Sequence, residues 1–423
     1  MKTNSVLDAG TIDPERGRLK RAWISTIIIS LLLTVDYMDR GALSVATPFI
    51  REEFHMSPTA FGALVSIFAW PYAFSLLLAG ALVDRWGSRV LLSIAAVLWS
   101  VSAGAMGAVS TVGQFFGLRI SLGITESPAY MSAARANKLW FTEREQHVPT
   151  GIWNSTSSLG PALAPLLLTP VMLAWGWRAM FITIGAVGVV LAVIWYTYYR
   201  ERPSFAGTIT PMKETAKISF SEWLKIFRHR TPLFLAIGSF FGGYWGFTLL
   251  GWLPGYLEIS RKVSIAETGV LASLPYLAGF LGAILGGRSP NFFMARGLDR
   301  ITSCKIGLVG GSLINALMII PAVLSGSVTV SIICFTIGGF FGSFSSTNSW
   351  TTIQTVSPVS RVGSIGGIWN WGGFMGSGVG PFVTGLLIQM TGSFVVPLLL
   401  GSLLLFIQVA CYWFGIKEAV PET

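Results

Sequence analysis

Five ionisable side chains stand inside long apolar segments: Asp36, Asp39 and Arg40 in one running from about residue 22 to 50, and Arg119 and Glu126 in another from about 113 to 134. A charge at the centre of a lipid-spanning helix costs about 2.5–3.5 kcal/mol on insertion scales, so it is retained where a partner or a water-filled cavity receives it. The chemistry such a set can do is proton exchange on the carboxylates and anion capture on the guanidinium groups. Asp36 and Arg40 are four residues apart, acid first, the favourable order for a pair on one helical face. Asp39 projects about 100° away from Arg40 and needs a different partner. Arg119 and Glu126 share a face but lie about 10 Å apart along the axis, too far for a direct ion pair. At about 1.5 Å per residue from the ends of their segments, Asp39 and Arg119 reach nearly the same depth. The sequence therefore predicts an Asp39–Arg119 pair between helices and leaves Glu126 as the isolated carboxylate beside a central cavity, the candidate proton carrier.

With all five groups ionised the site holds three negative and two positive charges and repels an anion. One or two protons on the carboxylates make it neutral or positive. Protonation is then a precondition of anion binding, with Asp39 and Glu126, flanked by Asp36 and Arg119, as the proton-coupling set.

The elements that must position these residues are transmembrane helices. Charged residues make up 11% of the 423 positions, against roughly 25% in soluble globular chains, and hydrophobic residues 52%, which excludes a soluble or disordered protein. Cys304, Cys334 and Cys411 lie in apolar stretches and His55, His147 and His229 are scattered, so neither a disulfide framework nor a metal centre is expected, and no cofactor. Twelve apolar segments of membrane-crossing length alternate with short polar turns. A basic stretch at 200–231 splits them into six and six. The expected organisation is an N-terminal six-helix bundle with its tail over 1–199, a central loop over 200–231, and a C-terminal bundle with a short tail over 232–423. Most of the 29 Lys and Arg residues fall in the tails, the central stretch and the loops on one side, which predicts cytoplasmic termini and accounts for the net charge of +10 without a nucleic-acid partner. About 21 polar residues precede the first apolar run, so no cleavable signal is expected and that run stays as a helix.

Between the second and third segments stands Gly80-Ala81-Leu82-Val83-Asp84-Arg85-Trp86-Gly87-Ser88-Arg89, and between the eighth and ninth a worn copy from Gly287 to Gly297 with Asn291 in place of the aspartate. The first is similar to the G-x-L-x-D-R-x-G-x-R loop of the major facilitator superfamily. That resemblance implies an all-α membrane fold of twelve transmembrane helices in two six-helix bundles, with substrate held between them near the midplane. In it Gly80, Asp84, Arg85, Gly87 and Arg89 form a gating loop: Asp84 is expected to cap a neighbouring helix N-terminus, while Arg85 and Arg89 reach acids or carbonyls.

Tyr37-Met38-Asp39-Arg40, Arg119-x-x-x-Gly123-x-x-Glu126 followed by Pro128, and Trp140-Phe141 resemble the anion:cation symporter branch. Phe68-Ala69-Trp70-x-Tyr72, Trp350 and Asn370 bring it nearest to galactonate-type bacterial sugar-acid permeases. The resemblance implies that Asp39 and Glu126 titrate, that Arg119 tunes them and that Arg40 contacts the substrate carboxylate. Tyr37, Tyr72 and Asn370 add hydrogen bonds, Trp350 forms a wall, and Ser157 and Thr347 complete the substrate-binding set. Asp36 and Ser157 depart from that pattern, which commonly has Asn and a longer amide there. Trp70, Trp153, Trp350, Trp369 and Trp371 could instead floor a site for an aromatic acid.

Gly376-Ser377-Gly378-Val379-Gly380 mimics a phosphate loop, but no Lys-Ser/Thr follows and the run is intramembrane, so helix packing explains it. No catalytic nucleophile or cofactor motif accompanies the buried charges, which argues against an enzyme. The expectation is a monomeric, multi-pass importer of a bacterial inner membrane that carries a small organic anion, such as a sugar acid, together with protons. An aromatic-acid or dicarboxylate symporter of the same fold, or an uncoupled uniporter, is the alternative.

Overall fold

The computed structural model describes residues 14–142, 145–201, 229–358 and 361–417. The expected central loop therefore falls almost wholly outside the described residues, as do the N-terminal tail up to residue 13 and the tail from residue 418. Within them the chain forms α1 (Pro14–Val45), α2 (Thr47–Glu53), α3 (Pro58–Ser66), α4 (Ala69–Ala105), α5 (Val112–Glu126), α6 (Ala129–Trp140), α7 (His147–Tyr198), α8 (Arg230–Gly255), α9 (Ile265–Leu271), α10 (Leu274–Met294), α11 (Arg300–Leu324), α12 (Val328–Val356), α13 (Val362–Thr391) and α14 (Val395–Gly415). No strand interrupts them among the described residues.

Nine helical stretches among these residues are long and apolar enough to cross a membrane. Two of them run 51 residues each, about 76 Å of helix against a hydrocarbon core of ~30 Å. Each turns a sharp corner, at Gly87 (φ 76°) and at Gly176 (φ 84°), in the positive-φ region that glycine enters without a Cβ clash. Each is thus two crossings joined by a tight corner. A further crossing, α5 with α6, is not among the nine because Arg119, Glu126, Arg135 and Lys138 depress its hydropathy. The result is the twelve-helix architecture expected from the sequence, six crossings before the central stretch and six after it, with residues 14 and 417 on one face.

Side chains cap several helices on the opposite face. Ser57, Ser264 and Ser327 accept from the backbone of α3, α9 and α12, and Thr111 and Gln114 form a reciprocal capping box on α5. These bonds satisfy N–H groups that the first helical turn leaves free.

The two halves repeat one another in detail. The second crossing is interrupted at Ile67 and Phe68, ahead of Pro71-Tyr72, and the eighth at Ala272 and Ser273, ahead of Pro275-Tyr276. Each break is packed by a glycine of the crossing two further on: a Cβ on Gly123 would strike the carbonyl of Phe68, and one on Gly339 the carbonyl of Pro275.

On the face away from the termini the halves are pressed together. Gly62 of α3 abuts the Pro381 carbonyl of α13, and Gly385 abuts that of Pro58. The Phe382 N–H donates to Ser66 Oγ at 2.9 Å, and the Trp252 ring meets Phe61 of α3 edge-on at 5.4 Å. Gly269 of α9 likewise lies against Pro165 and Thr169 of α7. On the terminal face, by contrast, these polar contacts among the described residues join elements of the same half: Arg18 with Glu145, Arg135 with Asp84, Arg89 with the Tyr196 carbonyl, Arg230 with that of Phe414 and Lys305 with that of Ile416. The cleft between the halves is closed at the far face.

Candidate functional site

The last three turns of α1 carry Asp36, Tyr37, Asp39 and Arg40, and α5 carries Arg119 and Glu126 on the face that meets them. All five charged groups are buried, none more than 3% exposed. Arg40 is the hub. Its Nη2 donates to Asp36 Oδ2 at 2.9 Å, the pairing expected from the spacing of four, and its Nε donates to Glu126 Oε2 at 3.0 Å. The remaining nitrogen, Nη1, has no protein partner among the described residues. The guanidinium lies 4.3 Å from the Tyr37 ring centroid and 5.0 Å from those of Phe68 and Tyr72, cation–π contacts that offset part of the cost of burial.

Two expectations are corrected here. Glu126 is not an isolated carboxylate, because the six-bond reach of arginine carries Arg40 across to α5. Nor do Asp39 and Arg119 form a hydrogen-bonded pair. Both Asp39 oxygens lack a donor, and Arg119 spends only Nη2, on the Val65 carbonyl at 3.3 Å, while its Nε and Nη1 are unpaired. Equal depth fixed their level along the membrane normal but not the direction in which each side chain points. Arg119 instead sits 5.0 Å from the Phe68 centroid, so that one ring bears both guanidinium groups.

Four carboxylate oxygens remain conspicuous. Asp36 Oδ1 and Glu126 Oε1 meet no N–H or hydroxyl, and the Asp36 and Glu126 carboxyls lie within hydrogen-bonding reach of each other. A bond between two carboxyls exists only with a proton between them. Asp39 has neither such a partner nor a donor. The arrangement can therefore take up and release protons in place of the hydrogen bonds that buried carboxylates otherwise require.

Tyr37, Arg40 and Tyr72 are brought together as the sequence led one to expect. Tyr72 also stacks at 4.3 Å on Phe374 of α13, across the cleft. Asn370, one helical turn before Phe374, is half-buried, and its side chain meets no hydrogen-bond partner among the described residues. Trp350 is 39% exposed and packs edge-on against Trp369 at 5.2 Å, a wall on the C-terminal half. Ser157 and Thr347 direct their hydroxyls into their own helices, to the carbonyls of Asn154 (2.9 Å) and Ser343 (3.1 Å). Among the described residues, neither of these two contacts the Arg40 cluster.

Sequence reasoning missed Tyr130. Its ring stands edge-on between Tyr37 (6.1 Å) and Trp153 (5.5 Å), and its buried hydroxyl lies near those of Tyr37 and Thr156 without an aligned hydrogen bond. Its position four residues after Glu126 was the available signal, obscured by Pro128. Tyr276 was missed as well: its orphaned hydroxyl repeats Tyr72 in the Pro-Tyr break of the other half.

The gating loop behaves differently from its expected role in one respect. Asp84 does not cap a helix; its Oδ1 accepts from Arg135 at 3.1 Å in an exposed pair. Arg89 does reach a carbonyl, that of Tyr196 at 2.9 Å, and rests on the Tyr196 ring. Gly87 makes the corner, where a Cβ would collide with Glu201, whose Oε1 accepts from the Arg89 N–H at 3.0 Å. Gly80 faces open space and Arg85 is exposed. Among the described residues no group of three His, Cys, Asp or Glu is arranged to hold a metal ion.

The sequence pattern of the Major Facilitator Superfamily matches residues 29–290. The chain is 31% identical over 419 residues to a probable L-galactonate transporter of Escherichia coli K12, covering 96% of this chain and 92% of the relative. It is 28% identical over 435 residues to a probable galactarate/D-glucarate transporter of the same strain, covering 96% and 97%. In three dimensions it is similar to a bacterial homolog of the human lysosomal transporter Spinster in an inward-facing, unoccupied conformation, with a TM-score of 0.81 at 19% identity over 98% of this chain and all of that one. The last likeness speaks for the fold alone. Twelve crossings in two repeated halves, the loop at Gly80–Arg89 and the sequence match together place the chain in the Major Facilitator Superfamily, as a multi-pass membrane transporter.

Proposed function

We propose that this transporter imports a sugar-acid anion, of the galactonate or hexarate kind, together with protons across a bacterial inner membrane by alternating access. The observation that carries the reading is Arg40, a buried guanidinium shared by two carboxylates that are themselves within reach of each other. A cation held this way is available to an external carboxylate when protons neutralise its internal partners. Glu126 and Asp39 are the proton carriers in this scheme, and Arg40 is the anion contact. Arg119, two of whose nitrogens are unpaired, sets the field across Asp39. Tyr37, Tyr72 and Asn370 supply hydroxyl and amide groups suited to a polyhydroxylated chain. The names of the relatives support the substrate class.

With the termini on the cytoplasmic side, as the basic loops lead one to expect, the closed far face makes this an inward-facing state. Protons and anion then leave together toward the cytoplasm, and the emptied carboxylates close on Arg40. A monoanion carried with one proton moves no net charge; with two it also draws on the membrane potential, about 2.3 kcal/mol per charge per 100 mV.

The test is uptake into proteoliposomes under an imposed pH gradient, acid outside, with L-galactonate, galactarate and benzoate. Accumulation of a sugar acid above equilibrium that collapses with the gradient is expected. Equal uptake without a gradient would defeat proton coupling, and accumulation of benzoate alone would transfer the site to an aromatic acid, with Trp350 and Trp369 as its floor.

A further inference from the structure

Arg40 presents three nitrogens, and the structure shows how each is used. Nε is held by Glu126, Nη2 by Asp36, and Nη1 has no protein partner. Three aromatic rings cover the guanidinium, so an arriving anion has only the edge formed by Nη1 and Nη2. A carboxylate binds arginine strongly through two parallel N–H donors. Nη2, which supplies one of the two donors of that edge, is already bonded to an acid from the same helix.

We infer that Asp36 is a built-in competitor of the substrate: its carboxylate occupies the Nη2 position that the substrate carboxylate takes, and substrate gains both donors when a proton removes the Asp36 charge. The inference rests on the reading that Arg40 binds the transported anion.

The surroundings of Asp36 allow this exchange. On α1 it is faced by Arg40, Tyr37 and Asp39, α5 contributes Glu126 and α4 Tyr72, while Arg119 of α5 neighbours Asp39 and Tyr130 of α6 neighbours Tyr37. The neighbouring α7 packs there through Gly160, against Thr34 and Tyr37, and brings no charge to the contact. Arg40 is thus the cation within ion-pair distance of Asp36. The Asp36 and Glu126 carboxyls are close enough to share one proton. Held between them, that proton cancels one of the two negative charges on Arg40 and leaves the other to keep the guanidinium in place. Anion binding then consumes acidity even before any helix moves.

The experiment is binding of L-galactonate to the purified full chain in lipid nanodiscs, by calorimetry at pH 5.5 and pH 7.5. The wild-type chain is expected to bind about ten-fold more weakly at the higher pH. Asp36→Asn keeps an oxygen for the Arg40 N–H but no charge, and should bind about ten-fold more tightly than wild type at pH 7.5, with a flattened pH dependence. Asp36→Ser, smaller and also uncharged, should do the same, and Asp36→Glu should retain the wild-type profile. Equal or weaker binding by both uncharged variants, with unchanged thermal unfolding, would overturn the proposal.

A second arm needs no substrate. Phenylglyoxal modifies accessible arginine, and its rate at Arg40, followed by peptide mass spectrometry without any anion present, should rise several-fold in Asp36→Asn; an unchanged rate also overturns the proposal. Faster modification with no sugar acid bound by any variant would uphold the competitor and defeat the sugar-acid reading.

Discussion

The two halves share a backbone plan and differ in what they bury. Gly123 and Gly339 pack the same Pro-Tyr break in their respective halves. Four residues before each stand Arg119 and Phe335, and three residues after each stand Glu126 and Gly342. Where the N-terminal half has a salt-bridged cluster with orphaned oxygens and nitrogens, the C-terminal half has, around Asn348, neutral groups that satisfy one another. Asn348 donates to the carbonyls of Gly286 (3.1 Å) and Phe344 (2.9 Å) and accepts from Ser289 (3.1 Å), and the hydroxyls of Ser312 and Ser345 lie 2.7 Å apart. A polar network complete in itself serves packing. One left incomplete, at a cost of about 1–3 kcal/mol per unpaired group, is maintained for what it exchanges. The comparison assigns chemistry to one bundle and a rigid counter-surface to the other.

The largest expected effect is at the hub. Arg40→Ala leaves two carboxylates facing each other without their cation, and uptake should fall by more than about 100-fold, the scale of a lost charge-assisted contact together with a disturbed buried pair. Retained uptake would remove Arg40 from the transport path. Next, Glu126→Gln should keep anion exchange between loaded vesicles yet lose gradient-driven accumulation, a split that no purely structural role produces. Normal accumulation would shift the proton site to Asp39.

In the other bundle, Asn348→Ala should lower stability by about 1–3 kcal/mol, read from thermal unfolding, while the pH profile of uptake stays as in wild type. A changed profile would break the division of labour. A smaller effect is expected from Asp84→Asn, which turns the N-terminal loop into the form that the C-terminal copy carries at Asn291. The exposed pair with Arg135 contributes at most about 1 kcal/mol to stability, so unfolding should barely move while the rate of uptake drops several-fold. An unchanged rate would make the loop a positive anchor only.

The smallest effect lies at the far face. The Arg178 guanidinium beside Glu53, with help from Trp177, holds that carboxyl below its ordinary value. A lowered folded-state value stabilises the protein above the ordinary carboxylate range and loses that contribution as the pH falls through the folded value. Unfolding of the wild-type chain should therefore become easier below about pH 4.5, and Glu53→Gln should lessen that slope slightly.

Much of this was legible in the sequence because lipid imposes coarse rules. Length of apolar run, side of basic residues and a six-plus-six division follow from the energetics of crossing a bilayer. The Asp36–Arg40 pair followed from helical spacing alone. What the sequence did not disclose was azimuth between helices: depth put Asp39 level with Arg119, yet their side chains do not meet, whereas Arg40 reached a helix 86 positions further on. Tyr130 stayed hidden because Pro128 separates it from the helix that gives Glu126 its direction. The Pro-Tyr repeat was written in the sequence at 71–72 and 275–276, but its meaning depends on the glycines of Gly123 and Gly339, which approach only in three dimensions.

The closure between Gly62, Gly385, Ser66, Trp252 and the carbonyls of Pro58 and Pro381 contains no ionised group. Its strength should be indifferent to ionic strength and to acidity, so in the proposed proton-coupled cycle the response to acid enters through α1 and α5. Main chain touching main chain also tolerates no added atom. A single methyl at Gly62 should act as a wedge, tilting the resting population toward the outward-open form without altering any group that meets the cargo.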